Sequence, residues 1–308
     1  MTELTITKNE VAAEFTEDLF ARFVAYIDAK PRTIETYARA LKQFISWLAF
    51  NGIKQPTRAD IINYREYLKE GHKATTVQNY IIALRQFFQW TEQEQLYPDI
   101  AKNVKGATIS KEHKKDYLTA AQVKAILGDI DRASVQGKRD YAMFALMVTG
   151  GLRDIEVSRA NVEDLRTAGD NTVLYLQGKG RDEKADFVII PTETEKAIRD
   201  YLKSRGTAGD GEPLFTSMSN NSKGSRMTTR SISGTVKSIL VNAGYDSDRL
   251  TAHSLRHTAV TLSLIGGSSL EEAQQFARHT NIATTQIYAH NLDRMSNKCS
   301  RTIAGAIF

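Results

Sequence analysis

Cysteine is almost absent from this chain of 308 residues: Cys299 stands alone. One thiol cannot close an internal disulfide, which excludes the stapled framework of small secreted domains and reads as an intracellular, redox-independent protein. Long apolar runs are missing too. The longest, such as Tyr141–Val148, fall far short of the roughly 20 residues needed to span a bilayer. The start, Met-Thr-Glu-Leu-Thr-Ile-Thr-Lys, lacks the charged-then-apolar layout of a signal peptide. Together these absences point to the cytoplasm and away from a membrane. A metal centre finds little to draw on. His253 and His257 have an i, i+4 ligand spacing, but no Glu stands between them as in a zinc-protease helix, and no third ligand is evident.

What is present suits two domains of ordinary size, each with its own core. A formal charge of +5 and a pI near 9.1 fit a nucleic-acid partner without requiring one. Residues 15–94 read as helical almost throughout. Ile34, Tyr37, Ala38, Leu41, Phe44, Ile45 and Leu48 recur at helical spacing, leaving Arg39, Lys42 and Gln43 on the other face. Pro31 suits a first helical turn, and Thr57-Arg-Ala-Asp60 marks another start as a capping box.

An internal echo runs through this region. Thr33-Ile-Glu-Thr-Tyr37, continuing to Trp47, returns 43 residues later as Thr76-Val-Gln-Asn-Tyr80, continuing to Trp90. Two copies make no solenoid. They predict two similar helices with equivalent parts in one small helical domain. A common core pattern accounts for the apolar matches. The polar ones, Thr33 with Thr76 and Lys42 with Arg85, are less easily explained by a core and are candidates for phosphate contacts.

From Tyr97 to Asp116 the periodicity lapses. Lys102, Lys105, Lys111, Lys114 and Lys115 make a basic connector, equally readable as a solvated linker or as a segment lying along phosphates. The expected division is therefore a helical domain over 1–105, a linker over 106–116 and a second domain over 117–308. That domain opens on the capping box Thr119-Ala-Ala-Gln122. Asp140–Val148 reads as a buried helix delivering Arg153 beyond it. Val173–Leu176 and Phe187–Ile190 read as strands of a hairpin whose loop contains Gly178-Lys179-Gly180. Thr228–Val241 reads as a helix ending at Gly244, and the tail 291–308 as helical, then apolar.

The densest stretch is Thr251–His290. His253 and Arg256 lie three apart, one turn of a helix expected to begin near Ser254 and to break at Gly266-Gly267. Ser269-Leu-Glu-Glu272 caps the next helix, and Asn281 caps a short one ending on Tyr288. Singly, each residue has a bland reading: a surface arginine, a satisfied histidine, a half-buried tyrosine. Taken together, His253-x-x-Arg256-His257, His279, and Tyr288 inside Thr284-Thr-Gln-Ile-Tyr-Ala-His290 resemble the C-terminal signature of the tyrosine recombinases, the phage-integrase family that includes the Xer proteins. Upstream, Gly151-Leu-Arg153-Asp-Ile-Glu156 resembles that family's first arginine box, and Lys179 falls at its hairpin lysine.

The resemblance implies a mainly α, two-domain C-shaped clamp on duplex DNA, with a small β-hairpin or sheet: a helical core-binding domain followed by a catalytic domain. It implies a site-specific recombinase that needs neither ATP nor metal nor other cofactor, because a covalent link stores the energy of the broken bond. Tyr288 attacks the phosphate to give a 3′-phosphotyrosyl bond. Arg153 and Arg256 clamp the oxygens with planar forks of donors that stay charged. Lys179 protonates the 5′ leaving oxygen, although Arg181 and Lys184 share its loop. His253 is general base or donor, His279 hydrogen-bonds the phosphate, and Glu156 and His257 support them. Since tyrosine has an ordinary pKa of about 10, preplaced positive charge must assist it.

Partners so implied are a duplex recombination site, three further copies in a tetramer assembled on DNA from free monomers, and a paralogous recombinase or accessory activator. The tail 291–308 would dock on a neighbouring protomer. One departure is visible: Arg278 stands before His279, where the family commonly has glycine, and is a candidate for an added phosphate contact. The expected biology is Xer-like dimer resolution. Rivals are an integrase of a mobile element, a type IB topoisomerase, against which the small helical first domain argues, and an idle DNA-binding regulator.

Overall fold

The 43-residue echo in the sequence is an echo in space. Helices α2 (Pro31–Phe50) and α4 (Ala74–Gln93) are each 20 residues long and start from lysines of matching extended geometry, Lys30 (φ −63°, ψ 148°) and Lys73 (φ −63°, ψ 146°). Ala40, Leu41 and Phe44 of the first and Ala83, Leu84 and Phe87 of the second are buried in one core. Helix α3 (Arg58–Gly71) begins on the expected capping box, the Thr57 N–H donating to Asp60 Oδ2 at 2.7 Å. Helix α1 (Glu17–Ile27) sets the fully buried Phe23 edge-on to Phe87, ring centroids 5.4 Å apart. Burial of such a side chain stabilises by about 1.5–3 kcal/mol.

These helices belong to the first of two units, Met1–Lys111 and Glu112–Phe308, in a computed structural model that describes residues 17–109, 116–178, 183–206, 209–296 and 299–307. The first part of the expected connector is not a free linker. Ala101 and Val104 are buried in the first core, Tyr97 Oη donates to the Pro56 carbonyl at 2.8 Å, and Arg65 Nη1 donates to the Lys105 carbonyl at 2.9 Å. Arg58 likewise holds the Lys102 carbonyl. Irregular chain whose backbone is satisfied by side chains carries no hydrophobic period, so nothing in the sequence separates it from a linker. Lys111, Lys114 and Lys115 lie outside the described residues.

The second unit is built around α6 (Val135–Thr149), buried continuously from Ala142 to Val148. Before it lies α5 (Ala120–Asp129), capped by Thr119 and Gln122 as expected. After it come the short α7 (Asp154–Arg159) and an antiparallel sheet of β1 (Leu165–Ala168), β2 (Asn171–Leu176) and β3 (Asp186–Ile190), in that order. Leu174 faces Leu165 on one side and Val188 on the other. Only the β2–β3 pair was expected; β1, Leu-Arg-Thr-Ala, has no alternation, and its turn rests on Gly169 at φ 58°. Helices α8 (Thr192–Arg205) and α9 (Thr229–Asn242) add Ile198, Tyr201, Ile232, Val236 and Leu240 to the larger core.

Four further helices follow: α10 (Ala252–Ile265), α11 (Leu270–Ala277), α12 (Ile282–Ser296) and α13 (Cys299–Ile307). Helix α10 starts earlier than expected, because Ser254 serves as the third residue of the box and its Oγ accepts from the Thr251 N–H at 2.9 Å. Helix α12 starts after Asn281, whose Oδ1 accepts from the Ala283 N–H at 2.8 Å. It does not end on Tyr288: no Gly or Pro follows, and the helix runs two more turns. No helix among the described residues is long and apolar enough to cross a membrane.

Candidate active site

The site forms where the end of α6, the first turns of α10 and the end of α11 meet. Helix α6 ends at Gly150-Gly151. Gly151 has φ 58°, and a Cβ there would lie 3.0 Å from the Phe276 ring, so only glycine turns the chain in this space. The turn delivers Arg153 to the start of α7, where Glu156 Oε2 accepts from the Arg153 N–H at 2.8 Å and Oε1 accepts from Arg153 Nη1 at 2.8 Å. Arg153 is thus aimed by a carboxylate that is itself 1% exposed.

Arg256 enters from α10. It is 1% exposed, and its Nη1 donates to the Gly151 carbonyl at 2.6 Å while Nη2 donates to the Ala277 carbonyl at the end of α11. Two of its five N–H donors therefore stitch together chain ends far apart in sequence. Burial, then repulsion from Arg153 and Arg278, lowers its pKa to about 9, which leaves it cationic at neutral pH.

Arg278 is the site's surprise. It takes the left-handed conformation (φ 54°, ψ 44°) where glycine costs least, and a non-glycine residue costs about 1 kcal/mol or more. In the sequence it is a candidate for an added phosphate contact. The guanidinium turns inward, Nη2 donating to Glu156 Oε2 and to the Gly151 carbonyl, each at 3.0 Å, and Nη1 donating to the Phe276 carbonyl at 2.8 Å. Burial alone would raise the pKa of Glu156, but Arg278, the Arg153 N–H and the Arg153 and Arg256 guanidinium groups outweigh it and hold it below the usual carboxylate value.

Tyr288 lies on α12 against Val260, Ala277 and Phe276, 6% exposed. Its ring has two imidazole neighbours, His257 at 5.2 Å and His279 at 6.2 Å between centroids, the latter stacked. Burial pushes its pKa up to about 12, with Arg256 and Arg153 pulling the other way. His279 Nδ1 is 2.9 Å from the Oγ1 of the fully buried Thr285. Burial and then Arg256, Arg153 and Arg278 lower its pKa to about 4, so the ring is neutral at pH 7. His253 is exposed on the first turn of α10 and meets the buried His257 edge-on at 4.6 Å. Among the described residues no cluster of His, Cys, Asp or Glu is spaced to hold a metal ion.

Beside this cluster opens a cavity of about 300 Å³ lined by Arg153, Glu156, Gly178, Arg278, His279 and Thr284. Lys179 lies outside the described residues; Gly178 before it brings the β2 end to this cavity, its carbonyl accepting from Arg159 Nη1 at 3.1 Å. Lys184, the rival in the same loop, is committed elsewhere: its Nζ lies 2.6 and 2.8 Å from the carboxylate of Asp164, which is 1% exposed. Tyr245, the tyrosine shortly before α10, packs against the large core and not in the Tyr288 cluster. In the first unit Thr33 and Lys42 are exposed, Thr76 and Arg85 half-buried, with Arg85 lining a polar groove of about 560 Å³ beside Gln86, Gln89 and Lys102.

The Thr285 contact to His279 and the Asp164–Lys184 pair are assigned by none of the motifs in the sequence. Thr285 had one legible signal, its place one turn into a helix that starts just after His279. Asp164 and Lys184 lie 20 residues apart and had none.

A buried tyrosine flanked by imidazoles and held near guanidinium groups, on this helical scaffold with a small sheet, defines a tyrosine recombinase. Residues 116–295 match the phage integrase family and residues 20–95 the N-terminal SAM-like domain of phage integrases. The chain belongs to the phage integrase family and is a site-specific, DNA-cleaving and rejoining enzyme. It is 28% identical over 261 residues to the tyrosine recombinase XerD of Vibrio cholerae, covering 84% of this chain and 85% of that one. It is 31% identical over 236 residues to XerC of Chlamydia trachomatis, covering 74% and 72%. Among solved structures, the XerH recombinase in a post-cleavage complex with a palindromic difH substrate superposes with a TM-score of 0.72 at 23% identity, over 87% of this chain and 80% of that one.

Proposed function

We propose that this recombinase opens one DNA strand by attack of the Tyr288 oxygen on the scissile phosphorus, forming a 3′-phosphotyrosyl bond as the bond to the 5′ oxygen breaks. The tyrosine proton passes to a base at His253, and Lys179 gives a proton to the leaving 5′ oxygen. Arg153 and Arg256 neutralise the non-bridging oxygens, neutral His279 hydrogen-bonds one of them, and Glu156 aims Arg153. A 5′-hydroxyl from the partner duplex then reverses the step, with no demand for ATP or metal. One observation carries this reading: Tyr288 has His257 and His279 as ring neighbours, on a helix packed against the one that bears Arg256.

The setting that fits best is Xer-like resolution of chromosome dimers in the cytoplasm, because XerC and XerD relatives match most of the chain. Monomers assemble as a tetramer on paired sites, with a paralogous recombinase or an accessory activator as further partner. Helix α13, which exposes Ile303 and Ile307, then seats in a neighbouring protomer's cavity of about 1120 Å³, lined by Val123, Leu127, Tyr141, Leu262 and Phe276. Thr33, Lys42, Thr76 and Arg85 supply phosphate contacts from the first unit, and Lys111, Lys114 and Lys115 from the connector.

The test is covalent trapping. Duplex sites are selected from a random pool by binding, nicked so that the freed fragment diffuses away, and incubated in EDTA with the wild-type chain and with Tyr288→Phe. A denaturation-resistant adduct mapping to Tyr288 and absent from the variant is expected. An adduct on another residue, or one that needs a divalent cation, refutes the reading. The genomic position of the selected site separates dimer resolution from a mobile-element integrase.

A further inference from the structure

Two guanidinium groups pair with one buried carboxylate, and the charge of a third, Arg256, also acts on it. Glu156 Oε1 holds Arg153 at 2.8 Å and Oε2 holds Arg278 at 3.0 Å. Arg278 is the less expected partner, since its left-handed backbone (φ 54°) favours glycine, yet its side chain is 8% exposed and directed into the protein. Its Nη2 also reaches the Gly151 carbonyl at 3.0 Å, the same oxygen that takes Arg256 Nη1 at 2.6 Å. One residue therefore touches both the carboxylate that aims Arg153 and the carbonyl that anchors Arg256.

The charges decide what this contact does. Arg153, Arg256 and Arg278 with Glu156 sum to +2; without Arg278 the sum is +1, and the carboxylate has Arg153 as its one remaining ion-pair partner. A buried carboxylate so placed would draw on the cation meant for the phosphate and repel the phosphate itself. A phosphate contact by Arg278 is disfavoured by the direction of its donors, and a purely space-filling role needs neither the charge nor the strained backbone.

We propose that Arg278 is a positioning residue of the strand-cleavage site: it neutralises Glu156 and fixes the Gly151 carbonyl, so that Arg153 and Arg256 present their full charge to the scissile phosphate. This rests on the roles given above to Tyr288 and the two arginines. It predicts an effect on the chemical step and not on DNA affinity, because the groups it touches are buried.

The experiment measures single-turnover cleavage and Kd on the selected, nicked duplex for wild type, Arg278→Gln, Arg278→Lys, Arg278→Gly and the double variant Glu156→Gln/Arg278→Gln. Arg278→Gln should cleave about 10- to 100-fold more slowly at unchanged Kd, the loss usual for a residue that orients those touching the reacting group. Arg278→Lys, which keeps the charge, should recover a large part. The double variant should cleave faster than Arg278→Gln alone, since the charge to be neutralised is gone. Arg278→Gly relieves the backbone and should fold in any event; it should cleave as slowly as Arg278→Gln. Wild-type rates for the Gln and Gly variants, equal rates for Gln and Lys, or a double variant slower than Arg278→Gln overturn the proposal. An adduct that survives Tyr288→Phe in the covalent-trapping test overturns the parent reading, and this one with it, whereas the rates of the Arg278 variants bear on this proposal alone.

Discussion

Arg256→Met separates the structural duty of this arginine from its chemical one. Methionine fills much of the volume of a side chain that is 1% exposed, but it cannot donate to the carbonyls of Gly151 and Ala277. The Gly151 carbonyl keeps its bond from Arg278 at 3.0 Å, so that loss is about 1 kcal/mol. The Ala277 carbonyl loses its side-chain donor, at about 1–3 kcal/mol. Removing a desolvated charge and its repulsion from Arg153 and Arg278 offsets part of this, leaving a net destabilisation of about 2 kcal/mol. In a unit of this size that lowers Tm by about 4–8 °C. Arg153→Met is the comparison: Arg153 is 29% exposed, and Glu156 keeps both Arg278 and the residue-153 N–H when its guanidinium goes. That change should cost about 1 kcal/mol or less, about 2–4 °C. Both variants should lose about 10²–10³ in cleavage rate. Calorimetry together with single-turnover cleavage reads both quantities. Equal melting points for the two, or an Arg256→Met chain cleaving within tenfold of wild type, would falsify the division of labour.

Two further outcomes are expected. Lys179→Ala should slow cleavage by about 10²–10⁴ and be largely rescued by a 5′-sulfur leaving group, whereas Lys184→Ala should chiefly destabilise, by about 3 kcal/mol, by stranding the buried Asp164; loss of rescue in the first, or rescue in the second, would exchange the two lysines. For His279 the folded pKa of about 4 lies below the ordinary 6.5, so between those values the unfolded chain takes up a proton that the folded one refuses. Its contribution is therefore complete above about pH 6.5 and is lost as pH falls toward 4. Melting temperature should drop more steeply over that window for wild type than for His279→Gln, and parallel curves would show that His279 is not the titrating group.

The legible part of the fold consists of features that depend on neighbours in sequence. Thr57 with Asp60, Thr119 with Gln122 and Ser269 with Glu272 are pairs three apart whose side chains satisfy helix N–H groups, and all three are formed. The α2–α4 echo was readable for the same reason, because a helix face repeats in sequence. The strand β1 was not, since a short exposed edge held by pairing to β2 needs no alternation of its own. Nor was the packing of residues 97–105, whose stability comes from Arg58, Arg65 and a buried Ala101 and Val104.

The site divides along the same line. Residue types and their spacing named Arg153, Arg256, His279 and Tyr288 as one constellation, because the family's pattern is carried in short motifs. Which atoms each one meets was decided by tertiary structure alone. Arg256 bonds a carbonyl 105 residues away, Arg278 a carboxylate 122 residues away, and Lys184 a buried Asp164 that no motif marks. The physical reason is range: caps, turns and helix faces are set by interactions within about one turn of chain, whereas burial, the direction of a guanidinium and the pKa of an imidazole depend on which distant segments the fold brings against it. Short motifs carry the chemistry available to this recombinase; the packing of α6, α10, α11 and α12 sets Arg278 against a carboxylate and Tyr288 against a pair of imidazoles.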